Sequence, residues 1–463
     1  MSQSTPPPVP ARPPHGLIAA IATAPGRGGI GVVRLSGLGV AALMAPLTSQ
    51  TLEPRKATLS VFYDENKVAI DQGIALYFPA PHSYTGEDVL ELQGHGGPAV
   101  MQRLLKRCLD LGCRIARAGE FTERAFLNGK LDLAQAESVA DLIDASSQEA
   151  AKSAASTLTG EFSARVHELT RRLTDLRMHI EACIDFPEEE IDPSDRAAQM
   201  AKLQEIRGLQ VDLARQAKQG TVLRDGLTVV LIGRPNVGKS SLLNRLAGDE
   251  IAIVTPFAGT TRDHVRATIH LEGVPIHLID TAGLRATDDE VEKIGIARTW
   301  AAVEGAGAAL LITEAGEMAA VREAEILNRL PKHLPVASIY NKIDLFGPGV
   351  VSRETNPAEV SAAHAAIYVS ALMGDGMNEL RQWLLRVAGW QPGSEGVFLA
   401  RERHLRALDA AASHVAAASA LDGQYELYAE ELRLAQSALS TITGEFTPND
   451  LLGEIFSRFC IGK

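Results

Sequence analysis

Residues 233–240 read Gly-Arg-Pro-Asn-Val-Gly-Lys-Ser, and about a hundred residues later residues 341–344 read Asn-Lys-Ile-Asp. The first run has the composition of a phosphate-binding loop. Gly233 and Gly238 let backbone N–H groups curl around a β-phosphate. Lys239 supplies a point charge for the β/γ oxygens, and Ser240 offers a hydroxyl to Mg²⁺. Asn236, Val237 and Ser241 complete the segment expected to contact nucleotide. The second run selects the base. Asp344 can accept hydrogen bonds from both the ring N–H and the exocyclic amine of guanine. Adenine lacks that donor pair, so ATP would leave the carboxylate unpaired. Asn341 reaches the opposite edge of the base, the stem of Lys342 lies across its face, and Ser370-Ala371 fit a loop closing over guanine O6.

Between these runs lie the residues expected to sense the γ-phosphate. Asp280-Thr281-Ala282-Gly283 follows an apolar run, so Asp280 can hold Mg²⁺ through water while the Gly283 N–H meets the γ-phosphate. Gly259-Thr260-Thr261-Arg262-Asp263 has the composition of a switch segment, with Thr261 as the second Mg²⁺ hydroxyl. Leu284 stands where Ras-like proteins carry the glutamine that orients the attacking water. Leucine has no polar atom for that task. Hydrolysis therefore needs another water-positioning group, for which the acidic stretch 288–292 offers candidates. It also needs another charge at the β–γ bridge. A monovalent cation with Asn236 as a ligand meets the second need.

The elements that position these groups are short and regular. Val229–Ile232 reads as a buried strand before the phosphate loop, and Ser241–Leu246 opens a helix whose N-terminal dipole faces the phosphates. Ile276–Ile279, Val336–Tyr340 and Ile367–Val369 read as further strands, which deliver the motifs to the carboxyl end of a sheet. Nearer the N-terminus, Ile30–Leu35, Ile74–Phe78 and Val89–Leu92 read as strands and 98–111 as a helix, a small α/β domain. Phe162, Val166, Leu169, Leu173, Leu176, Ile180 and Cys183 step by four and three, the seam of a long packed helix. Leu405, Leu408, Ala412 and Val415, then Leu432, Ala435, Leu439 and Ile442, repeat that texture. These late helices pack most economically against the earlier ones, which would make the GTPase an insertion; the alternative is two separate small bundles.

The expected organisation is a multidomain chain of α/β and all-α parts. A flexible Pro-rich lead (1–16) precedes an N-terminal α/β domain (17–130). A helical domain in two parts (131–220 and 388–463) flanks an inserted Ras-like P-loop GTPase domain (221–387). At 46% hydrophobic residues the chain can build real cores. A net charge of −12 argues against wrapping nucleic acid by bulk electrostatics. The best local basic patch is 101–130, where seven Lys/Arg face three acids, a stretch that a solvated helix face explains about as well. Cys108, Cys113, Cys183 and Cys460 form no metal-ligand pattern, and disulfides are not expected of a cytoplasmic, GTP-using chain. No apolar run reaches the length of a membrane span.

Four further segments carry a resemblance. They are Ala24-Pro25-Gly26-Arg27-Gly28-Gly29-Ile30-Gly31, the run Gly86-Glu87-Asp88-Val89-Leu90-Glu91-Leu92-Gln93-Gly94-His95-Gly96-Gly97, residues Gly119 to Lys130, and the C-terminal Phe459-Cys460-Ile461-Gly462-Lys463. With the nucleotide motifs they make the chain resemble the tRNA modification GTPase family MnmE (also TrmE) over nearly everything after the lead. The resemblance implies a reaction the motifs alone do not give. With an FAD-dependent partner, MnmG, the family adds an aminomethyl-type or carboxymethylaminomethyl group to carbon 5 of the wobble uridine of certain tRNAs. The carbon comes from a tetrahydrofolate derivative (5-formyl or 5,10-methylene). Arg34, Glu91 and Lys130 would bind the folate, and Lys463 would contribute from the tail.

The same resemblance places the water-orienting acid on Glu292. It makes K⁺ the charge-neutralising ion, held by Asn236 and the loop Thr255, Phe257 and Thr260, with Thr255 and Thr260 also beside the GTP. It implies a homodimer whose GTPase domains meet, and a cytoplasmic location. Taken alone, Arg34 and Glu91 read more readily as a strand-face ion-pair residue and a solvated edge residue than as a folate site. Cys460 has two readings, an apolar anchor for the tail or a catalytic nucleophile or acid activated by Arg458 and Lys463. A rival of another class is a regulatory switch of the ribosome-assembly type with no covalent RNA chemistry. The folate constellation and the Cys460 tail argue against it.

Overall fold

The computed structural model describes residues 16–185, 193–234, 236–248, 265–280, 303–315, 326–345, 364–392, 396–421, 424–445, 449–457 and 459–462. The chain divides into two compact units, 1–140 with 158–170 and 436–463, and 141–157 with 171–435.

The first unit is built on a six-stranded sheet of order β3-β4-β5-β2-β1-β6. Its strands are β1 (Ile18–Ile21), β2 (Gly28–Ser36), β3 (Thr58–Tyr63), β4 (Ala69–Phe78), β5 (Val89–Gly96) and β6 (Arg114–Ile115). Alternation of side chains along each strand decides what each face buries. Val33, Leu35, Leu90, Leu92 and Ala75 point to one side. There they pack with Met101, Leu104 and Cys108 of α2 (Pro98–Asp110). Residues of the other parity, Arg34, Ser36 and Glu91, share the opposite face with Ile18 and Ala20. Phe121 of α3 (Glu120–Leu127) and Ala116 cover the latter pair. The expected strands and the helix near 98–111 are present; β1 and β3 were not foreseen.

The second unit carries a sheet of order β12-β11-β10-β7-β9-β8. It comprises β7 (Leu227–Gly233), β8 (Val265–Leu271), β9 (Val274–Asp280), β10 (Ala308–Glu314), β11 (Val336–Asn341) and β12 (His364–Tyr368). All neighbours are parallel except β8 and β9. Burial on both faces explains the unbroken apolar runs of β7 and β10. A helix, α8 (Lys239–Gly248), begins at the phosphate loop itself.

The helices are α4 (Leu133–Asp144), α5 (Gln148–Leu158), α6 (Glu161–Asp185), α7 (Pro193–Asp225), α9 (Met377–Ala388), α10 (Glu402–Ala420), α11 (Tyr425–Thr443) and α12 (Asn449–Ser457). In α6, Phe162, Val166, Leu169, Leu173, Leu176 and Ile180 are all buried, and Cys183 is half-buried. The α11 seam also holds, with Leu432, Ala435, Leu439 and Ile442 at zero exposure. The α10 seam differs from expectation. Its buried line is His404, Ala407, Leu408, Ala411, Val415 and Ala418, while Ala412 is exposed. Where alanine is the commonest residue, apolar spacing cannot mark which face packs.

Both passages into the nucleotide-binding fold meet one carboxylate. Asp141 Oδ1 accepts from Arg224 Nε at 3.0 Å, near the end of α7, and from Arg401 Nη2 at 2.9 Å, just before α10. On α7 itself, Gln210 Nε2 donates to the Leu408 carbonyl of α10 at 2.9 Å.

Candidate functional site

Strand, loop and helix assemble the phosphate loop in the second unit. Asn236 has φ 65° and Gly238 φ 96°, left-handed backbone that turns the chain back over its own N–H groups. Gly238 also admits no side chain, because a Cβ would overlap the Asn341 amide. Lys239 Nζ donates to the Gly233 carbonyl at 2.6 Å and to that of Arg234 at 3.2 Å, which aims the ammonium across the loop. Ser240 is exposed in the first turn of α8, where a metal ion beside the phosphates would stand.

The base-reading residues are wired to this loop. Asn341 is buried, donates through Nδ2 to the Val237 carbonyl at 2.9 Å, and accepts at Oδ1 from the Ala371 N–H at 3.1 Å. Ser370 Oγ donates to Asp344 Oδ1 at 2.6 Å. Asp344 itself is exposed and Lys342 pairs with Glu314. The Asn341 side chain thus also ties the phosphate loop to the loop of Ser370-Ala371, a role sequence reading did not name. Asp280 ends β9 opposite Leu231 of β7. Thr255, Phe257, Thr260, Thr261, Gly283 and Glu292 lie outside the described residues.

In the first unit, register brings Arg34 of β2 opposite Glu91 of β5. Arg34 Nε donates to Glu91 Oε1 at 2.9 Å, and the two side chains are 24% and 17% exposed. The guanidinium sits over Tyr84 and Phe121, two residues sequence reading did not single out. Lys130 follows α3; a Cβ on Gly86 would lie 3.3 Å from its Cγ, so that glycine makes room for the lysine stem.

Beside this face lies a buried polar frame. Arg124 donates to Glu87 at 2.7 Å, to Glu120 at 3.0 Å and to the Gly16 carbonyl at 2.9 Å. Ser36, two residues beyond Arg34, donates to the same Glu87 oxygen at 3.1 Å. Burial pushes the Glu120 carboxyl up. Hydrogen bonds from Arg114, the Arg117 amide and Arg124 outweigh burial and hold it at about 2.

The tail docks on the same helix. The Gly119 N–H donates to the Cys460 carbonyl at 3.3 Å and Ala118 bridges to Ile461. Gly119 has φ 66°, and a Cβ there would lie 2.7 Å from the Phe456 carbonyl. Phe456 and Phe459 pack with Leu133 and Ala136, and Phe126 packs beside them. Phe459 is the buried anchor, while Cys460 is exposed. That overturns the reading of Cys460 as a buried apolar anchor. Lys463 lies outside the described residues.

Two family models match the chain, "GTP-binding protein TrmE N-terminus" over residues 17–130 and "MnmE helical domain" over 133–460. A tRNA modification GTPase MnmE from Thiobacillus denitrificans is 56% identical over 457 residues, covering 98% of this chain and 99% of its own length. One from Azoarcus sp. is 57% identical over 453 residues, covering 98% and 99%. The chain belongs to the MnmE family of tRNA modification GTPases. Among solved structures it is also similar to the G domain of the T. maritima FeoB iron transporter. That likeness is 25% identity with a TM-score of 0.26, over 35% of this chain and 98% of the other. As an MnmE-family member the chain is a GTPase that acts in tRNA modification. Among the described residues no helix is long and apolar enough to cross a membrane.

The Glu120 carboxyl gives a pH prediction. Its value in the fold, about 2, is below the ordinary 4.5, so its contribution to stability is complete above about 4.5 and is lost as pH falls towards 2. Glu120→Gln is expected to lower the thermal midpoint at pH 7 and to flatten its fall between pH 5 and pH 2. An unchanged acid profile in the variant would show that this carboxylate is not held down.

Proposed function

We propose that this chain hydrolyses GTP to support transfer of a one-carbon unit from a tetrahydrofolate derivative to carbon 5 of the wobble uridine of tRNA. It does so in the cytoplasm, as a homodimer working with an FAD-dependent MnmG partner. The observation that supports the reading is that α3 links the paired Arg34 and Glu91, through Phe121, to the Cys460 tail, which Gly119 receives. The exposed apolar residues Leu59 and Ile74, cross-strand neighbours in β3 and β4, support a dimer formed through this domain. In this reading the N-terminal domain is 17–130, and the GTPase (221–387) is inserted between helical segments 131–220 and 388–463.

In the GTPase, Asn236, Val237, Gly238, Lys239, Ser240 and Ser241 bind the phosphates. Asn341, Lys342, Asp344, Ser370 and Ala371 bind guanine. Ser240 and Thr261 hold Mg²⁺, with Asp280 behind water and Thr255, Thr260 and Gly283 completing the nucleotide shell. Mg²⁺, when bound, supplies positive charge to the β and γ oxygens. Glu292 orients the attacking water in place of the missing glutamine. Asn236, Thr255, Phe257 and Thr260 hold K⁺ where an arginine finger would otherwise act. At the folate, the Glu91 carboxylate accepts from the amide-like edge of the pterin, Arg34 donates to its acceptors, and Lys130 and Lys463 attract the acidic tail. Cys460, which is exposed, is available to the substrate as an acid or nucleophile.

Asp344→Asn is expected to weaken GTP binding by on the order of 100-fold and to let xanthosine triphosphate compete. Calorimetry showing equal GTP affinity in both proteins would refute the guanine assignment.

GTP turnover is expected to be at least about tenfold faster in K⁺ than in Na⁺ at equal ionic strength, since an arginine finger doing the same work is worth about 10³–10⁵. Asn236→Ala should erase the difference while nucleotide still binds. Turnover indifferent to the cation would mean that the protein supplies the charge.

Deleting Cys460 to Lys463 is expected to abolish wobble-uridine modification while GTP turnover persists. Cys460→Ser separates chemistry from packing, because serine is close in size and a far poorer nucleophile. Normal modified-uridine levels with Cys460→Ser would leave the tail only a closing role, and normal levels with the deletion would remove both.

A further inference from the structure

Arg34 is held on three sides, only one of them by a hydrogen bond. Its Nε donates to Glu91, and its guanidinium carbon lies 5.5 Å from the ring centroid of Tyr84 and 5.8 Å from that of Phe121. Both rings are within the roughly 6 Å at which an aromatic face attracts a cation. Neither ring is free to move aside. Phe121 is fully buried with Ile18, Ala20 and Ala116. Tyr84 is pinned by its hydroxyl to Thr122 Oγ1 at 2.8 Å, and Thr122 is itself fully buried. Phe121 and Thr122 are consecutive residues of α3, so one helix turn seats both rings.

We propose that Tyr84 and Phe121 are positioning residues for Arg34, fixing the plane of its guanidinium so that the two terminal nitrogens face a ligand already oriented. The proposal rests on the folate reading above and names what makes that site specific for a planar acceptor edge. A ring face balances guanidinium charge without accepting any of its N–H bonds. Glu91 takes Nε, and among the described residues no hydrogen bond takes the four terminal N–H donors, which are left for a ligand. An unsupported arginine would lose rotamer freedom on binding, whereas this one is ordered in advance.

The test uses the full-length chain with 5-formyl-tetrahydrofolate as the probe, in calorimetry. Tyr84→Phe keeps the ring and loses the hydroxyl; Tyr84→Leu loses the ring. Tyr84→Phe is expected to bind within about threefold of wild type and Tyr84→Leu about tenfold more weakly. In an Arg34→Lys background, Tyr84→Leu should cost little more, because the two changes remove one arrangement. A merely structural role would instead lower the melting temperature and add the same loss in both backgrounds. Crystal structures of the unliganded wild type and Tyr84→Leu supply the second readout, with Arg34 ordered over the rings only in the former. Folate binding to Tyr84→Leu as tight as to wild type would overturn the positioning role and leave the folate reading intact. No folate binding by wild type, with Arg34 still ordered only when Tyr84 is present, would overturn the folate reading and keep the positioning role. Arg34 in the same place without Tyr84 would overturn the proposal outright.

Discussion

The ion pairs of Arg124 with Glu87 and Glu120 set the geometry of the first unit. All three side chains are at most 7% exposed. Taking such charges out of water is repaid only when every donor and acceptor is met, and removing one partner costs about 3–5 kcal/mol. Here the requirement is met from four places in the chain: β2 through Ser36, the loop before β5 through Glu87, the start of α3 through Glu120, and the first described residue through the Gly16 carbonyl. An apolar core tolerates small slides, because one methyl contact replaces another. A charged frame with fixed donor directions does not. The pairing of α3 with β2 is therefore held in one register, and everything α3 carries inherits that precision.

What α3 carries is much of the surroundings of the site proposed for the folate. Its N-terminal Gly119 receives the tail carbonyl, Phe121 and Thr122 seat the rings around Arg34, and the turn after it leads to Lys130. The run Gly119 to Lys130 is thus a scaffold read from both ends. The nucleotide site uses the same economy with different chemistry. Asn341 spends both ends of its amide on backbone, one on the phosphate loop and one on the loop of Ser370-Ala371. The two loops proposed to read base and phosphate are thereby tied to each other before any ligand adds contacts, which would lower the ordering cost of binding.

Sequence reading succeeded where the chemistry is local. The phosphate loop lies between β7 and α8 because strand, turn and helix are written in consecutive residues, and the apolar seams of α6 and α11 were recovered. It was least informative where partners are distant. Nothing in Arg34 or Glu91 announces a pair, since their contact depends on the register of strands 57 residues apart. Tyr84 and Phe121 stand in or beside recognisable segments, yet a single aromatic residue carries no mark of the cation it will face. Asn341 was assigned to the base because its motif is defined by ligand contacts, while its structural bonds run to residues 30 and 104 positions away. The shifted face of α10 has a simpler cause, an alanine-rich surface with no periodic signal.

The second unit shows why a nucleotide-binding fold can be inserted between two helices without becoming a loose appendage. Its outgoing and returning segments are both tied to Asp141, which is almost fully buried and accepts from Arg224 and Arg401 on the same oxygen. Further ties follow along the same boundary. Gln219 donates to the Gly389 carbonyl and accepts from the Gln391 N–H, both at 2.8 Å, while Thr221 bonds the Ala400 carbonyl at 3.2 Å. The hairpin of β8 and β9 adds another contact, between His270 Nε2 and Ser146 Oγ at 2.8 Å. That hairpin ends at Asp280, the residue before the Thr-Ala-Gly of the γ-phosphate motif. A movement that drew the end of α7 or the start of α10 away from α4 would break a charge-assisted bond to Asp141, each worth about 1.5–3 kcal/mol, so these two junctions are held together on one carboxylate.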